Sequence, residues 1–155
     1  MLNCKPVSTP MTTNSTMAAT STAFDNPKLY RQIVGPLQYL TLTRPDITHA
    51  VNRAYQFMHQ PTVDNFEKLK QILRYLRGSI HNGIPISRGN LQLSSYTDSD
   101  WAGDIQDRKS TTGYCNFLVT TLISWCAKKH TTTARSSADA EYRAIATTTT
   151  ETLWL

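Results

Sequence analysis

Apolar residues recur at helical spacing in the first half of the chain and at strand spacing in the second. Leu29, Ile33, Leu37 and Leu40 fall three or four apart, and Gly35-Pro36 is expected to break or bend that helix. After the punctuation of Arg44-Pro45-Asp46, residues Ile47, Ala50, Val51, Ala54, Phe57 and Met58 repeat the spacing as far as Pro61. A third helix is predicted from Thr62 to Arg77, with Phe66, Leu69, Ile72, Leu73 and Leu76 on one stripe and Gly78 closing it. Past Gly78 the texture changes. Asn82-Gly83 and Arg88-Gly89-Asn90 read as turns. Leu91, Leu93 and Ser95 alternate toward Asp98, and Tyr114–Val119 and Leu122–Ala127 supply two further short strands. Such close spacing predicts an antiparallel meander. A last helix opens at Ser136-Ser137, with Ala138, Tyr142, Ile145, Ala146, Thr149 and Leu153 as its inner stripe and Glu141 on the same broad face. The β-branched run Thr147–Thr150 predicts a frayed end.

Residues 1–26 lack periodicity and read as a linker; 27–78 form a small helical bundle; 79–155 form a sheet-and-helix domain. The expected class is therefore α+β. The length of 155 residues suits one average domain or two small ones. No apolar run approaches the roughly 20 residues of a membrane span, and the mean hydropathy is −0.39. The first 24 residues carry one base, Lys5, and no Arg, which argues against a transit peptide. An odd count of three cysteines without ligand spacing argues against a disulfide framework or a zinc site.

The net charge of +5 is uneven. Residues 61–90 hold five bases against two acids, and 91–155 six against seven. Lys68, Lys70, Arg74 and Arg77 flank the stripe of the third helix and are candidate phosphate contacts, or simply a solvated face. Asp98, Asp100 and Asp104 cluster after the first strand. With Glu141 they admit two readings: oxygen ligands for a hard cation, or turn and helix N-terminal acids.

Several long motifs bear on that choice. Cys4-Lys5-Pro6-Val7-Ser8-Thr9-Pro10, Tyr30-Arg31-Gln32-Ile33-Val34-Gly35-Pro36-Leu37-Gln38-Tyr39-Leu40, Thr43-Arg44-Pro45-Asp46-Ile47 and Ile72-Leu73-Arg74-Tyr75-Leu76-Arg77-Gly78 occupy the first half. Asp98-Ser99-Asp100-Trp101-Ala102-Gly103, Arg108-Lys109-Ser110-Thr111-Thr112-Gly113-Tyr114, Ile123-Ser124-Trp125 and Ser136-Ser137-Ala138-Asp139-Ala140-Glu141-Tyr142-Arg143-Ala144 occupy the second. Over nearly its whole length the chain resembles the later part of copia-type LTR retrotransposon Pol polyproteins, and short copia-derived plant open reading frames. Pro36 departs from the family, which more often has a small residue there.

The resemblance implies that 27–78 are thumb/connection-like helices of a reverse transcriptase. It implies that 79–155 are a truncated ribonuclease H-like fold of three antiparallel strands and one helix. It further implies cleavage of the RNA strand of an RNA–DNA hybrid by two Mg2+ ions. Asp98 and Glu141 then match the strand and helix carboxylates, with Asp100 as the alternative for the strand position, and the two are expected to face each other. The family's third aspartate, on a fourth strand beside the first, has no counterpart before Leu155, and the polymerase aspartates lie upstream. The expectation is a Pol fragment inactive alone, with other Pol segments and an RNA–DNA hybrid as partners and no membrane. The alternatives are a non-catalytic nucleic-acid-binding module using Lys68, Lys70, Arg74 and Arg77, or a non-functional remnant. For an intact retroelement the compartment is cytoplasmic; mitochondrial and nuclear locations stay open.

Overall fold

The computed structural model describes residues 4–12 and 22–155. The remainder of the linker expected over 1–26 lies outside the described residues. The chain divides into two compact units, Met1–Gly83 and Ile84–Leu155, and its mixture of helices and antiparallel sheet is α+β.

The first unit is built from helices. Helix α1 spans Pro27–Leu40, with Asn26 accepting the Leu29 N–H at 2.9 Å as its cap. A 3₁₀ turn, Pro45–Ile47, leads into α2, Thr48–Tyr55. Helix α3 spans Val63–Gly78 and opens with a capping box. The Asn65 N–H donates to the Thr62 hydroxyl while Asn65 accepts the Thr62 N–H at 3.0 Å. The expected break at Gly35-Pro36 does not occur, because α1 runs through Pro36. Proline forfeits one backbone bond, but Tyr30, Val34 and Leu37 lie buried on one face on either side of it and keep the helix in register.

These three join Ile47, Val51, Leu69 and Ile72 in one apolar core, with Phe66, Leu73 and Leu76 packed against it. Burial pushes the Tyr30 phenol up to about 12, and its hydroxyl donates to the Ala54 carbonyl at 2.9 Å. The Arg44-Pro45-Asp46 punctuation is tied down as well. Buried Arg44 makes two bonds to the Asp46 carboxylate (2.9 and 2.7 Å) and two to Ser79 (2.9 and 2.6 Å). The Tyr75 hydroxyl also donates to Asp46 at 2.7 Å. The loop after α1 is thereby fixed to the end of α3. The hydrogen bond from Arg44 holds Asp46 below the usual carboxylate range.

The second unit holds strands β1 (Leu93–Ser99), β2 (Thr111–Leu118) and β3 (Thr121–Lys129), followed by α4 (Ser137–Trp154). The sheet is antiparallel in the order β1-β2-β3. Tyr96 pairs with Cys115, Cys115 pairs with Trp125, and a register shift lies between Asn116 and Phe117. Helix α4 packs on β1 and β2.

Two expectations fail in α4. It does not fray at Thr147–Thr150 but continues to Trp154. The hydroxyls of Thr147, Thr148, Thr150 and Thr152 each donate to the carbonyl four residues back, at 2.8–2.9 Å, so the β-branched run is satisfied along the helix itself. Nor does the predicted stripe face inward. Ala140, Ala144 and Thr148 are buried, while Tyr142 and Leu153 are 73% and 83% exposed. Small residues let the helix lie close to the sheet face that carries Ser95, Asn116 and Ser124 together with Tyr114, and Tyr142 and Leu153 point away from it.

Candidate nuclease carboxylates and basic helix

Asp98 lies in β1 and is exposed; Glu141 lies in the first turns of α4 and is half-buried. The Ser95 hydroxyl bonds Thr152 of α4 at 2.9 Å. Strand side chains alternate between faces, so Ser95 faces the helix while Tyr96 and Asp98 belong to the opposite sheet face. Glu141 stands about three helical turns before Thr152, on the same flank of α4. Helix α4 packs on β1, so the two elements that carry these carboxylates are neighbours. Among the described residues no group of three or more His, Cys, Asp or Glu is placed to hold a metal ion.

The other acids of the cluster are committed to the loop between β1 and β2. Asp100 accepts the Thr111 N–H, and a side chain on Gly103 would collide with its carboxylate. The Ala102 N–H donates to the buried Ser110 hydroxyl at 3.1 Å. Asp104, 5% exposed, accepts from the Gln106 N–H at 2.8 Å and pairs with Lys129 at 2.6 Å; Lys129 also reaches Asp107 at 2.9 Å. The turn reading thus accounts for Asp100 and Asp104. Likewise Asp139 accepts from the Arg135 N–H, which holds its carboxyl below the usual range, and then from Arg143 at 3.0 Å through two nitrogens. Arg143 also donates to Thr132 at 2.7 Å. This arrangement, with Ser136 accepting the Asp139 N–H at 3.1 Å, caps α4.

The basic residues of α3 are also engaged. Lys68 pairs with Asp64 at 2.6 Å and Lys70 with Glu67, both along the helix surface. Arg74 donates to the Lys5 carbonyl at 2.8 Å and Arg77 to the Cys4 carbonyl at 2.6 Å. Gln71, which the charge pattern could not reveal, adds a bond to the Thr9 carbonyl at 3.2 Å. Its spacing of three from Arg74, which is itself three from Arg77, was the available signal. A side chain on Gly78 would meet Pro6 at 2.9 Å, so the Cys4–Thr9 segment lies against this end of α3. Carbonyls are neutral, so Arg74 and Arg77 keep their charge while Lys68 and Lys70 have theirs offset.

Comparison with known proteins finds relatives along the whole chain. An uncharacterised mitochondrial protein of Arabidopsis thaliana is 48% identical over 99% of this chain and 65% of its own length. The retrovirus-related Pol polyprotein of transposon RE2, also from Arabidopsis thaliana, is 49% identical over 100% of this chain and 11% of its own. The chain belongs to the copia-type retrotransposon Pol family. A secreted RxLR effector protein of Plasmopara viticola is 41% identical over 81% of the chain and 90% of that protein. This copia-type Pol segment thus spans 65% of the mitochondrial relative and about a tenth of the transposon polyprotein. No family model and no solved structure matches it. Among the described residues no helix is long and apolar enough to cross a membrane.

Proposed function

We propose that Ile84–Leu155 correspond to the opening part of a ribonuclease H-type fold, with Asp98 and Glu141 as its strand and helix carboxylates, and that this chain alone does not cleave RNA–DNA hybrids. The observation that carries this reading is the packing of α4 on β1 while Asp100 and Asp104 are bound within their own loop. Carboxylates of this type are fit ligands for a hard cation, although Asp98 lies on the sheet face away from α4. They do not fit the two-magnesium arrangement, which needs further oxygen ligands to fix both ions and the attacking water, so the carboxylates contribute ligation only in company with other Pol polypeptide. In a magnesium-replete hydrolysis assay the chain and its Asp98→Asn variant are expected to give the same background. Cleavage by the chain that Asp98→Asn abolishes would overturn the reading.

A second reading, nucleic-acid binding through α3, is supported by the uncancelled charge of Arg74 and Arg77. Phosphate contacts release counterions, so affinity for an RNA–DNA hybrid should fall steeply with salt. Replacing both arginines by Ala should lower the salt slope by roughly two contacts, whereas Lys68→Ala should change it less. Salt-independent binding would exclude this role.

A further inference from the structure

Three side chains of α3 hold one neighbouring stretch of backbone. Gln71, Arg74 and Arg77 follow at three-residue steps along the helix, and each donates to a main-chain carbonyl of residues 4–9. Gln71 bonds Thr9 at 3.2 Å, Arg74 bonds Lys5 at 2.8 Å and Arg77 bonds Cys4 at 2.6 Å, so the segment runs back along α3 from its C-terminal end. Gly78 makes room for it. Its backbone is outside the left-handed region, so conformation alone does not call for glycine there, yet a Cβ at this position would stand 2.9 Å from that of Pro6.

The charge at this contact is all of one sign. Among the described residues no carboxylate pairs with Lys5, Arg74 or Arg77. Of the acids in residues 1–83, Asp46 is held by Arg44, Asp64 by Lys68 and Glu67 by Lys70, which leaves Asp25. Residues 4–9 bring Lys5 and no acid, so the segment does not neutralise the arginines it touches. Each arginine uses one N–H on its carbonyl, and a guanidinium carries five.

We propose that Lys5, Arg74 and Arg77 form one binding site for successive phosphates of a nucleic-acid strand, with residues 4–9 a structural part of the site rather than a cover over it. This rests on the second reading above, that α3 binds nucleic acid. A guanidinium takes a phosphate through a planar fork of N–H groups, so its orientation matters. The two carbonyls fix one N–H of each fork before any ligand arrives, which lowers the ordering cost of binding. Because the Lys5 carbonyl touches Arg74, the Lys5 side chain starts beside that guanidinium and adds a third cation to the pair.

The test is binding of the full chain to an RNA–DNA hybrid, read as the slope of log affinity against log salt. Lys5→Ala should lower the slope by about one contact. Gly78→Ala keeps all three cations but displaces Pro6; it should weaken binding and lower the slope by about one, and Lys5→Ala added to it should lower the slope no further. Alanine favours helix, so the dichroism spectrum should hold. The Cys4 Sγ lies 3.8 Å from Arg77 Nη1, and faster alkylation of Cys4, mapped by peptide mass, reports that the segment has left α3. Tighter binding by Gly78→Ala would show that residues 4–9 mask the arginines, and would overturn the inference. A slope unmoved by Lys5→Ala, but lowered by changing Arg74 and Arg77 to Ala, would also overturn it and leave the α3 reading standing. Binding indifferent to all three cations would remove both. Inorganic phosphate should displace the hybrid no better than chloride at equal ionic strength; selective displacement would assign the site to free phosphate instead. Should Gly78→Ala leave Cys4 alkylation unchanged, the Lys5→Ala slope decides alone.

Discussion

The two units bury different kinds of side chain. Met1–Gly83 encloses Tyr30, Val34, Leu37, Ile47, Val51, Leu69 and Ile72. Ile84–Leu155 encloses Ala102, Ala140 and Ala144 together with Ser99, Ser110, Thr112, Asn116 and Thr148, and leaves Tyr96, Tyr142, Ile145, Leu153 and Trp154 exposed. Burial of a large apolar side chain contributes about 1.5–3 kcal/mol, and an alanine much less. The helical unit is thus held by its core. The sheet unit depends on backbone ladders, hydroxyl bonds and ion pairs, whose net contributions are smaller, and its apolar surface is turned outward.

The difference should appear first as two separable unfolding transitions. Leu69→Ala, which opens a cavity in the helical core, is expected to lower the stability of that unit by about 2–5 kcal/mol. Ala144→Gly in α4 should lower the other by about 1 kcal/mol. Chemical denaturation followed by residue-resolved hydrogen exchange assigns each effect to its unit. One shared transition moving equally in both variants would contradict the comparison.

A smaller effect of opposite sign is expected at Asn116. It is wholly buried between the sheet and α4, and neither polar atom of its amide has a hydrogen-bond partner among the described residues. Its cross-strand neighbours Ser95 and Ser124 bond instead to Thr152 and Glu151 of α4. Asn116→Leu keeps the shape and removes two unsatisfied groups, so it should stabilise the sheet unit by about 1 kcal/mol. A destabilisation measured by denaturant midpoint would show that the amide is satisfied by water.

The smallest separation is in pH. Burial, then the nearby Arg143 charge, pushes His130 below its usual range, although Asp100 and Asp139 oppose this. Its Nε2 bonds the Thr112 hydroxyl at 2.7 Å. The unfolded state then binds the proton first, so stability of the sheet unit should begin to fall as pH drops below about 6.5 and go on falling to the folded pKa. His130→Gln should flatten that segment. In the helical unit Asp46 is the shifted carboxylate. Its contribution is full above the unfolded value near 3.9 and lost as pH falls through its lower folded pKa, so this unit should hold to more acid pH. Melting each transition from pH 7 to pH 3 tests the order.

The periodicity of α3 determined both its existence and its buried residues, because Phe66, Leu69, Ile72 and Leu76 lie on one helical stripe and helix spacing alone puts them on one face. The three strands were legible for a similar reason: short β-rich runs separated by turns admit little besides a meander. The Asp98 and Glu141 positions came from motif resemblance, since spacing alone favoured the turn reading. The inner face of α4 was not legible. Its pattern nominated Tyr142, Ile145 and Leu153, yet the sheet beneath accepts only the close approach of Ala140, Ala144 and Thr148, and what lies beneath a helix is not written in the helix. For the same reason Asp100 and Asp104 read as metal ligands or turn acids until Thr111 and Lys129, distant in sequence, were seen to occupy them. Charge told only that α3 is basic. That Asp64 and Glu67 offset two of its charges, while the backbone of Cys4–Thr9 takes the hydrogen bonds of Gln71, Arg74 and Arg77, depends on groups that only the folded chain brings within bonding distance.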